Sequence, residues 1–453
     1  MIRARGGPAR VEASQQKLTV LQAKFAAYLS WSQPFLHALV AGLDPHVRNV
    51  VLCEHTENLD RFPVRHVERI PTRYLVRPGL AVLAARYLQR TWQPDLMHAH
   101  FGWSGLRLLM LKQILRIPLV VTFGGRDVGL QMQLADFREL YGMMLDASDA
   151  IVCVSRDLRD KLRDAGADPD RIHVIHRGTD LARFGFVDRS ARDPDAPVRI
   201  LMVGRIVEKK GHRYALEALA GLAAAGRRAE LVIVGEGEGY HEVKRLRRRL
   251  GLRGRVELAG PTDHAGVRRH MERADLLLHC SVTPPSGDVE GIPNVVVEAQ
   301  AMGLPVVGTR HGGIAEAVRD GETGLLVSEA EVAPLQRALA RLVDDPALRL
   351  RMGRDARAFV DAHFSLTRQV EQHLAVYEKV VAHAASDPAW RTRSWLPETC
   401  PGLARRALLA HGISHPSEFS IAELIERLLW TQRLEGRLRE GGVQDPVAAV
   451  ELV

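Results

Sequence analysis

Cysteine is scarce in this chain. Cys53, Cys153, Cys280 and Cys400 stand far apart in 453 residues, and no two form a CxxC pair. The spacing argues against a disulfide framework and against a zinc site, and it suits a reducing cytoplasm. Aromatic residues make up only 5% of the chain. No module that interleaves basic and stacking side chains is present, so the reading is no nucleic acid. Apolar runs are short. None reaches the roughly 18 residues of a membrane-spanning helix. Met1–Gln16 carries basic residues with no apolar segment behind them, unlike a secretory signal.

What is there describes a soluble protein of two or three domains. Apolar residues make up 46% of the chain, and 453 residues can bury more than one core. The net charge of +8 favours anionic partners: nucleotide phosphates, lipid pyrophosphates or an anionic membrane surface.

Short apolar runs alternate with helical segments. Lys17–Gln22, Val47–Cys53, Asp95–His98, Leu119–Thr122, Ala150–Val154 and Ile172–Ile175 read as strands. Asp188–Pro197 is polar and contains proline, a linker. The pattern then restarts with strands at Arg199–Val203, Glu230–Val234, Arg255–Leu258, Asp275–His279 and Pro305–Gly308. Two β/α arrays in series imply an α/β protein with two doubly wound parallel sheets. Ligand is expected at the carboxyl ends of the strands. The expected division is 1–190, 191–363, a helix over 364–385, and a small helical appendage over 386–453 with a helical stretch near Ile421–Glu440.

The most informative run is Glu290-Gly-Ile-Pro-Asn-Val-Val-Val-Glu298. Glu290 lies in a loop of helix breakers, Asn294 starts a buried helix, and Glu298 falls about one turn inside it. A helix N-terminus offers unpaired N–H groups to a phosphate ester, and carboxylates beside it accept hydrogen bonds from sugar hydroxyls. Phosphate and hydroxyls together describe a nucleotide-sugar. Gly204-Arg205-Ile-Val-Glu-Lys-Lys210-Gly211 follows a strand and opens a helix. Gly204 lets backbone approach a ligand, and Arg205 with one lysine suits a diphosphate. A solvated charged loop is the bland alternative.

These segments, with Gly308-Thr-Arg-His-Gly-Gly-Ile-Ala-Glu316, Val234-Gly-Glu-Gly237 and Glu257-Leu-Ala-Gly-Pro261, resemble family 4 of the retaining glycosyltransferases, which have the GT-B fold. The similarity spans most of residues 17–385. His98-Ala-His-Phe-Gly102 and Gly287-Asp-Val-Glu-Gly-Ile-Pro293 resemble enzymes of exopolysaccharide assembly, including colanic-acid-type transferases. The resemblance implies two Rossmann-like domains facing a central cleft, with the helix after residue 363 returning to the first. It implies no cofactor and no metal, the nucleotide-sugar being a substrate. Arg205 and Lys210 would bind the donor diphosphate, Glu298 the ribose, and Glu290 the donor sugar near the reacting carbon. Gly291, Ile292, Asn294 and Val295 would offer backbone N–H groups beside Pro293, which has none, and the segments at Gly235 and Gly260 would line the nucleoside pocket. The acceptor would be a growing glycan or a polyprenyl-diphosphate-linked one, at the cytoplasmic face of the membrane.

The chain departs from the family at two places. Thr122-Phe-Gly-Gly-Arg-Asp127 stands where relatives read Thr-Phe-His-Gly-x-Asp, so Gly124 replaces a histidine that meets the donor sugar. His98 and His100, at a neighbouring strand end, are candidates to help, against an ordinary structural role. Asp127 matches the family aspartate, and a helix N-cap is an equal reading. Near the N-terminus, Ser32 stands before Pro34, where many relatives have a glycine pair. It reads as an N-cap or as a phosphate contact.

Three features have plainer readings. Gly235-Glu-Gly-Glu-Gly239 lacks the third glycine of a dinucleotide fingerprint and sets glutamates where a pyrophosphate would lie. Lys244–Arg255 is a basic run best read as a solvated helix face. Arg65, Arg69, Arg73 and Arg77 form a basic cluster interrupted by Pro71, which a lipid surface or plain solvent would satisfy. Two functions compete with sugar transfer. A GT-B nucleotide-sugar epimerase is opposed by the pairing of Gly204–Gly211 with the two glutamates. A non-catalytic nucleotide-sugar-binding partner is supported by Gly124 alone.

Overall fold

Apolar runs of four to six residues, with shorter and less buried strands at the edges, build two parallel sheets in a computed structural model that describes residues 17–25, 27–28, 34–129, 135–393 and 395. The first half contributes β1 (Thr19–Ala23), β2 (Ala27–Tyr28), β3 (Arg48–Cys53), β4 (His55–Thr56), β5 (Val67–Arg69), β6 (Leu96–His100), β7 (Leu119–Phe123), β8 (Ala150–Cys153) and β9 (Ile172–Val174). Seven of them form a sheet in the order β5-β3-β1-β6-β7-β8-β9, while β2 and β4 pair apart. The second half contributes β10 (Val198–Val203), β11 (Ala229–Val234), β12 (Val256–Gly260), β13 (Leu276–His279), β14 (Val306–Thr309) and β15 (Gly324–Val327), in the order β12-β11-β10-β13-β14-β15.

Alternation assigns the side chains to faces. In β1, Leu21 and Ala23 join one core with Val50, Met97 and Val121. Val20 joins another on the opposite face, with Leu96, Val120 and Val152. The helix Leu366–Ser386 covers that second face through Val370, Val376, Tyr377 and Val380. The chain thus ends its second β/α array and comes back to the first. The crossing is stitched by backbone bonds from Thr179 N–H to Phe364 C=O at 2.8 Å and from Leu366 N–H to Thr179 C=O at 3.1 Å.

Helix boundaries follow local chemistry. Ser155, Asp263, Asp345 and Ser365 each accept a backbone N–H three residues on, as N-caps do, and Pro346 follows its cap at the first helical position. The expected strands and helices are present with ends shifted by a few residues. Unanticipated elements include β2, β4, β5 and β15 and the helices Arg73–Val76, Pro78–Thr91, Ala135–Ala147 and Ile314–Ala317. The appendage is described only as far as the helix Pro388–Thr392 and Trp395. The expected helix near Ile421–Glu440 and the role of Ser32 lie outside the described residues.

Each sheet reverses strand order once, between β1 and β6 and between β10 and β13. Such reversals open a crevice at the carboxyl ends of the flanking strands. Gly204 follows β10 and Phe101 follows β6, and both line one cavity of about 600 Å³ between the two sheets.

Candidate active site

The wall from the second array is built from four chain segments, which follow β10, β11, β12 and β13. After β10 the backbone turns at Gly204, where it runs so close to the turn after β11 that a Cβ on Gly235 would meet the Gly204 carbonyl oxygen at 2.0 Å. Gly235 also has φ +142°, so only glycine fits. The same turn exposes Arg205 to the cavity and brings Lys210 beside it. After β13 the loop over 281–293 leads into the helix Asn294–Ala301, whose N-cap residue is Pro293 and which has no side-chain cap. Its first N–H groups are left for a ligand.

Glu290 lies on this wall and Lys210 Nζ is 2.7 Å from its Oε1, an ion pair at contact distance rather than an aligned hydrogen bond. Lys209 Nζ is 3.9 Å from the same oxygen and 2.8 Å from Asp288 Oδ2. Burial alone would raise the Glu290 carboxyl, but Lys210 and Lys209 outweigh it and hold the group at about 2. It is therefore a carboxylate at any working pH. Its backbone is fixed as well. The N–H of Glu290 donates to His311 Nε2 at 3.1 Å, and His311 Nδ1 is 2.7 Å from Glu329 Oε1. This sets the tautomer, with the proton on Nδ1. Glu298, one turn into the helix, lines the cavity in a different state. Burial raises its carboxyl to about 7, only partly offset by Arg183.

The opposite wall belongs to the first array: Pro34 and Phe35 at a helix start, Phe101 after β6, Gly124 and Gly125 after β7, and Arg177 after β9. Phe101 has φ +75°, strained for a residue with a side chain. A Cβ on Gly125 would lie 2.5 Å from the Val289 carbonyl oxygen and 2.7 Å from the Gly291 nitrogen. The two walls thus touch through bare backbone beside Glu290.

Of the anticipated residues, Gly204, Arg205, Lys210, Gly235, Glu290, Gly291, Ile292, Pro293, Asn294, Val295 and Glu298 line this one cavity. Two do not. His100 is buried below Phe101, where its Nε2 bonds Gln22 Oε1 at 2.9 Å and its ring lies 4.2 Å from that of His98. Burial lowers His100 to about 3, so it is neutral. The cause is strand alternation: His98 and His100 share the face that meets the returning helix, where His98 Nδ1 bonds the Tyr377 hydroxyl at 2.6 Å. Asp127 is also buried behind the wall. Its Oδ2 accepts the Gly102 N–H at 3.1 Å, so it serves the start of the Gly102–Leu115 helix rather than capping its own. Burial raises its carboxyl to about 7.

Three residues were not anticipated: Arg177, His311 and Glu316. Glu316 reaches across from the second array. Its Oε1 accepts the N–H groups of Arg156 at 2.6 Å and Asp157 at 3.2 Å, and its Oε2 is 3.0 Å from His176 Nε2. A separate cavity of about 440 Å³ lies at the far end of the second sheet, beside Arg189 and Arg192. Arg189 spends its donors there on the carbonyls of Ala274, Val187, Met302 and Met271. Among the described residues no group of three or more His, Cys, Asp or Glu is placed to hold a metal ion.

Two doubly wound domains meeting on a cleft of this kind define the GT-B architecture. Residues 34–183 match the family described as Glycosyltransferase Family 4, and residues 187–359 match Glycosyl transferases group 1. The chain belongs to the family 4 glycosyltransferases. It is 31% identical over 297 residues to the amylovoran biosynthesis glycosyltransferase AmsK of Erwinia amylovora, covering 65% of this chain and 70% of AmsK. It is 33% identical over 248 residues to WcaL of Salmonella typhimurium, a protein assigned to colanic acid biosynthesis, covering 54% of this chain but only 61% of WcaL. Among solved structures, Anabaena HepE in complex with UDP matches with a TM-score of 0.68 at 19% identity, over 80% of this chain and 100% of HepE. That likeness is one of fold.

Proposed function

We propose that this chain is a retaining hexosyltransferase that moves a sugar from a nucleotide-sugar to a growing exopolysaccharide or lipid-linked glycan. One observation carries the reading. A single cavity is lined by Arg177, Arg205, Lys209 and Lys210, an uncapped helix N-terminus and two carboxylates in opposite protonation environments. Arg205, Lys210 and the N–H groups of Asn294 and Val295 receive the diphosphate and stabilise charge on it as the sugar leaves. Glu298 accepts the ribose hydroxyls. Glu290 faces the transferred sugar as a fixed carboxylate, binding hydroxyls or stabilising positive charge at the reacting carbon. The departing phosphate takes the acceptor proton on the same face, which retains configuration. In this reading residues 191–363 hold the donor and residues 1–190, with the helix over 364–385, hold the acceptor.

The relatives assigned to exopolysaccharide synthesis support a glycan acceptor, polyprenyl-diphosphate-linked or free. No described helix is long and apolar enough to cross a membrane. Arg65, Arg69, Arg73 and Arg77 are all exposed on the first domain, which supports a cytoplasmic chain resting peripherally on anionic lipid.

The test is a panel of nucleotide-sugars. A ligand at about 100 times its Kd raises stability by about 2.7 kcal/mol, readable as a thermal shift. The stabilising donor should also release free sugar slowly in the absence of acceptor. Stabilisation without any hydrolysis would favour a binding protein, and absence of stabilisation by every donor would sink the reading.

A further inference from the structure

Arg177 stands out because its donors are idle. It sits on the first-domain wall of the cleft, on the segment that follows β9. Its guanidinium stacks on the Phe35 ring at 4.0 Å. No hydrogen bond or ion pair holds it among the described residues, although the charges of Asp127 and Glu290 act on it. Arg189 shows what a purely structural arginine does in this fold: it spends its donors on four carbonyl groups. A guanidinium held by stacking alone and opening on a cavity keeps its fork of donors for a group of the substrate.

Gly124 makes the room. A Cβ there would lie 3.1 Å from Arg177 Nη2 and 3.2 Å from the Phe101 ring. The guanidinium therefore occupies the space a side chain at 124 would take. The next residue, Gly125, abuts Val289, Glu290 and Gly291 on the other wall. Arg177 thus faces the Glu290 end of the cleft. The diphosphate already has Arg205, Lys210 and the helix N-terminus on the second-domain wall. Glu290 already has Lys210. The neighbouring carboxyl, Asp127, is raised by burial to about 7, so it cancels only part of the Arg177 charge at neutral pH. One fork of donors without a protein hydrogen bond remains where the transferred sugar and the acceptor must meet.

We propose that Arg177 is a specificity determinant that receives an oxyanion of the substrate, a carboxylate or a phosphate, at the sugar end of the cleft. The proposal rests on the nucleotide-sugar reading above and narrows its substrate class. The oxyanion has two sources. It is the carboxylate of a hexuronate carried by the donor, or the phosphate that heads a lipid-linked acceptor. A planar guanidinium matches either in bidentate fashion, and a lysine would not.

The experiment starts with UDP, GDP and TDP, to find the base the protein binds. Calorimetry then compares the hexose and hexuronate conjugates of that base, such as UDP-glucose and UDP-glucuronate, on wild type, Arg177→Gln and Arg177→Lys. A second arm titrates farnesyl diphosphate into protein saturated with the nucleoside diphosphate. For a donor carboxylate, wild type should favour the hexuronate at least tenfold, and Arg177→Gln should erase that preference while its nucleoside diphosphate affinity holds. For an acceptor phosphate, the two donors should bind alike and Arg177→Gln should weaken farnesyl diphosphate at least tenfold. Gly124→Ala, whose methyl pushes the guanidinium aside, should reproduce the same loss in part without touching Arg177. If neither ligand depends on Arg177, the proposal is overturned although nucleotide binding stands. If wild type binds none of the nucleoside diphosphates, the donor-site reading fails and the proposal falls with it.

Discussion

Glu316 of the second domain caps a helix of the first: its Oε1 lies 2.6 Å from the backbone nitrogen of Arg156. The helix Arg156–Asp164 already has Ser155 as its N-cap, which takes the Leu158 N–H. Glu316 takes the two N–H groups that Ser155 leaves, and its negative charge meets the positive end of the helix. This contact, with the closely packed backbones of Gly125 and Gly291, joins the two domains beside the cleft. Hydrogen bonds to a charged group contribute about 1.5–3 kcal/mol. Glu316→Gln should therefore favour the open form. The expected result is a larger radius of gyration by X-ray scattering without donor, and a donor KM raised roughly tenfold. Identical scattering from mutant and wild type would show that the contact does not hold the domains together.

The cations on the second-domain wall make a kinetic prediction. Charge on the diphosphate grows as the sugar leaves, so Arg205 and Lys210 should act most strongly in the transition state. Alanine at either position should lower kcat by roughly 100-fold or more. Lys210→Ala should do something further. It removes the nearer ammonium from a buried carboxylate held at about 2, so the Glu290 group should rise and an acid limb should move up in the pH–rate profile. Near-normal turnover of both mutants at saturating donor would make these cations surface features.

Much of this was legible in the chain because it is local. Parallel strands covered on both faces read as unbroken apolar runs, so β10 and β11 stand out. The edge strand β5 has no fully buried residue, and β15 opens with Gly324, so neither shows that pattern. The segments Gly204–Lys210 and Glu290–Glu298 carry their chemistry in consecutive residues. Arg177, His311 and Glu316 do not. Arg177 matters because Gly124, far off in sequence, leaves space for it. Glu316 matters because another domain presents a helix start. His100 lies off the cavity for a different reason: its strand was recognised, but alternation turns its side chain toward the returning helix.

Glu298 should make nucleotide binding depend on pH. Its ionised form accepts from two ribose hydroxyls, whereas the protonated acid turns one oxygen into a donor and accepts more weakly. Burial raises its carboxyl to about 7 in the free protein. Below that pH the group holds a proton that binding must expel, so nucleoside diphosphate affinity should rise as pH climbs through 7. Linkage gives a second sign. The folded state holds a proton that the unfolded state has lost above the ordinary carboxyl range, so this group's share of stability falls as pH rises toward 7. Glu298→Gln should flatten both profiles, and Glu298→Ala should cost roughly 1–3 kcal/mol of nucleotide affinity. Calorimetry across pH 5.5–8.5, as a range of about three units around the raised value, checks both. Unchanged affinity in the alanine mutant would remove Glu298 from the ribose site.

The last prediction concerns the membrane. Arg65, Arg69, Arg73 and Arg77 are exposed, and the cluster spans the end of β5 and the short helix Arg73–Val76. The helix that follows exposes Leu83 and Tyr87, at 55% and 48%. Basic groups beside exposed apolar ones suit the surface of an anionic bilayer, where a lipid-linked acceptor would arrive. Each basic residue near such a surface contributes about 1 kcal/mol, and salt screens the attraction. Binding to phosphatidylglycerol vesicles should therefore be measurable at low salt and weaken as salt rises. Changing the four arginines to glutamine should reduce it. Donor hydrolysis should be unaffected, since none of the four lines the cleft. Leu83→Ser should weaken vesicle binding without changing its salt dependence, because it removes apolar contact and no charge. Should the four-arginine mutant bind vesicles as well as wild type, the cluster is a solvated surface and the acceptor must approach over another face.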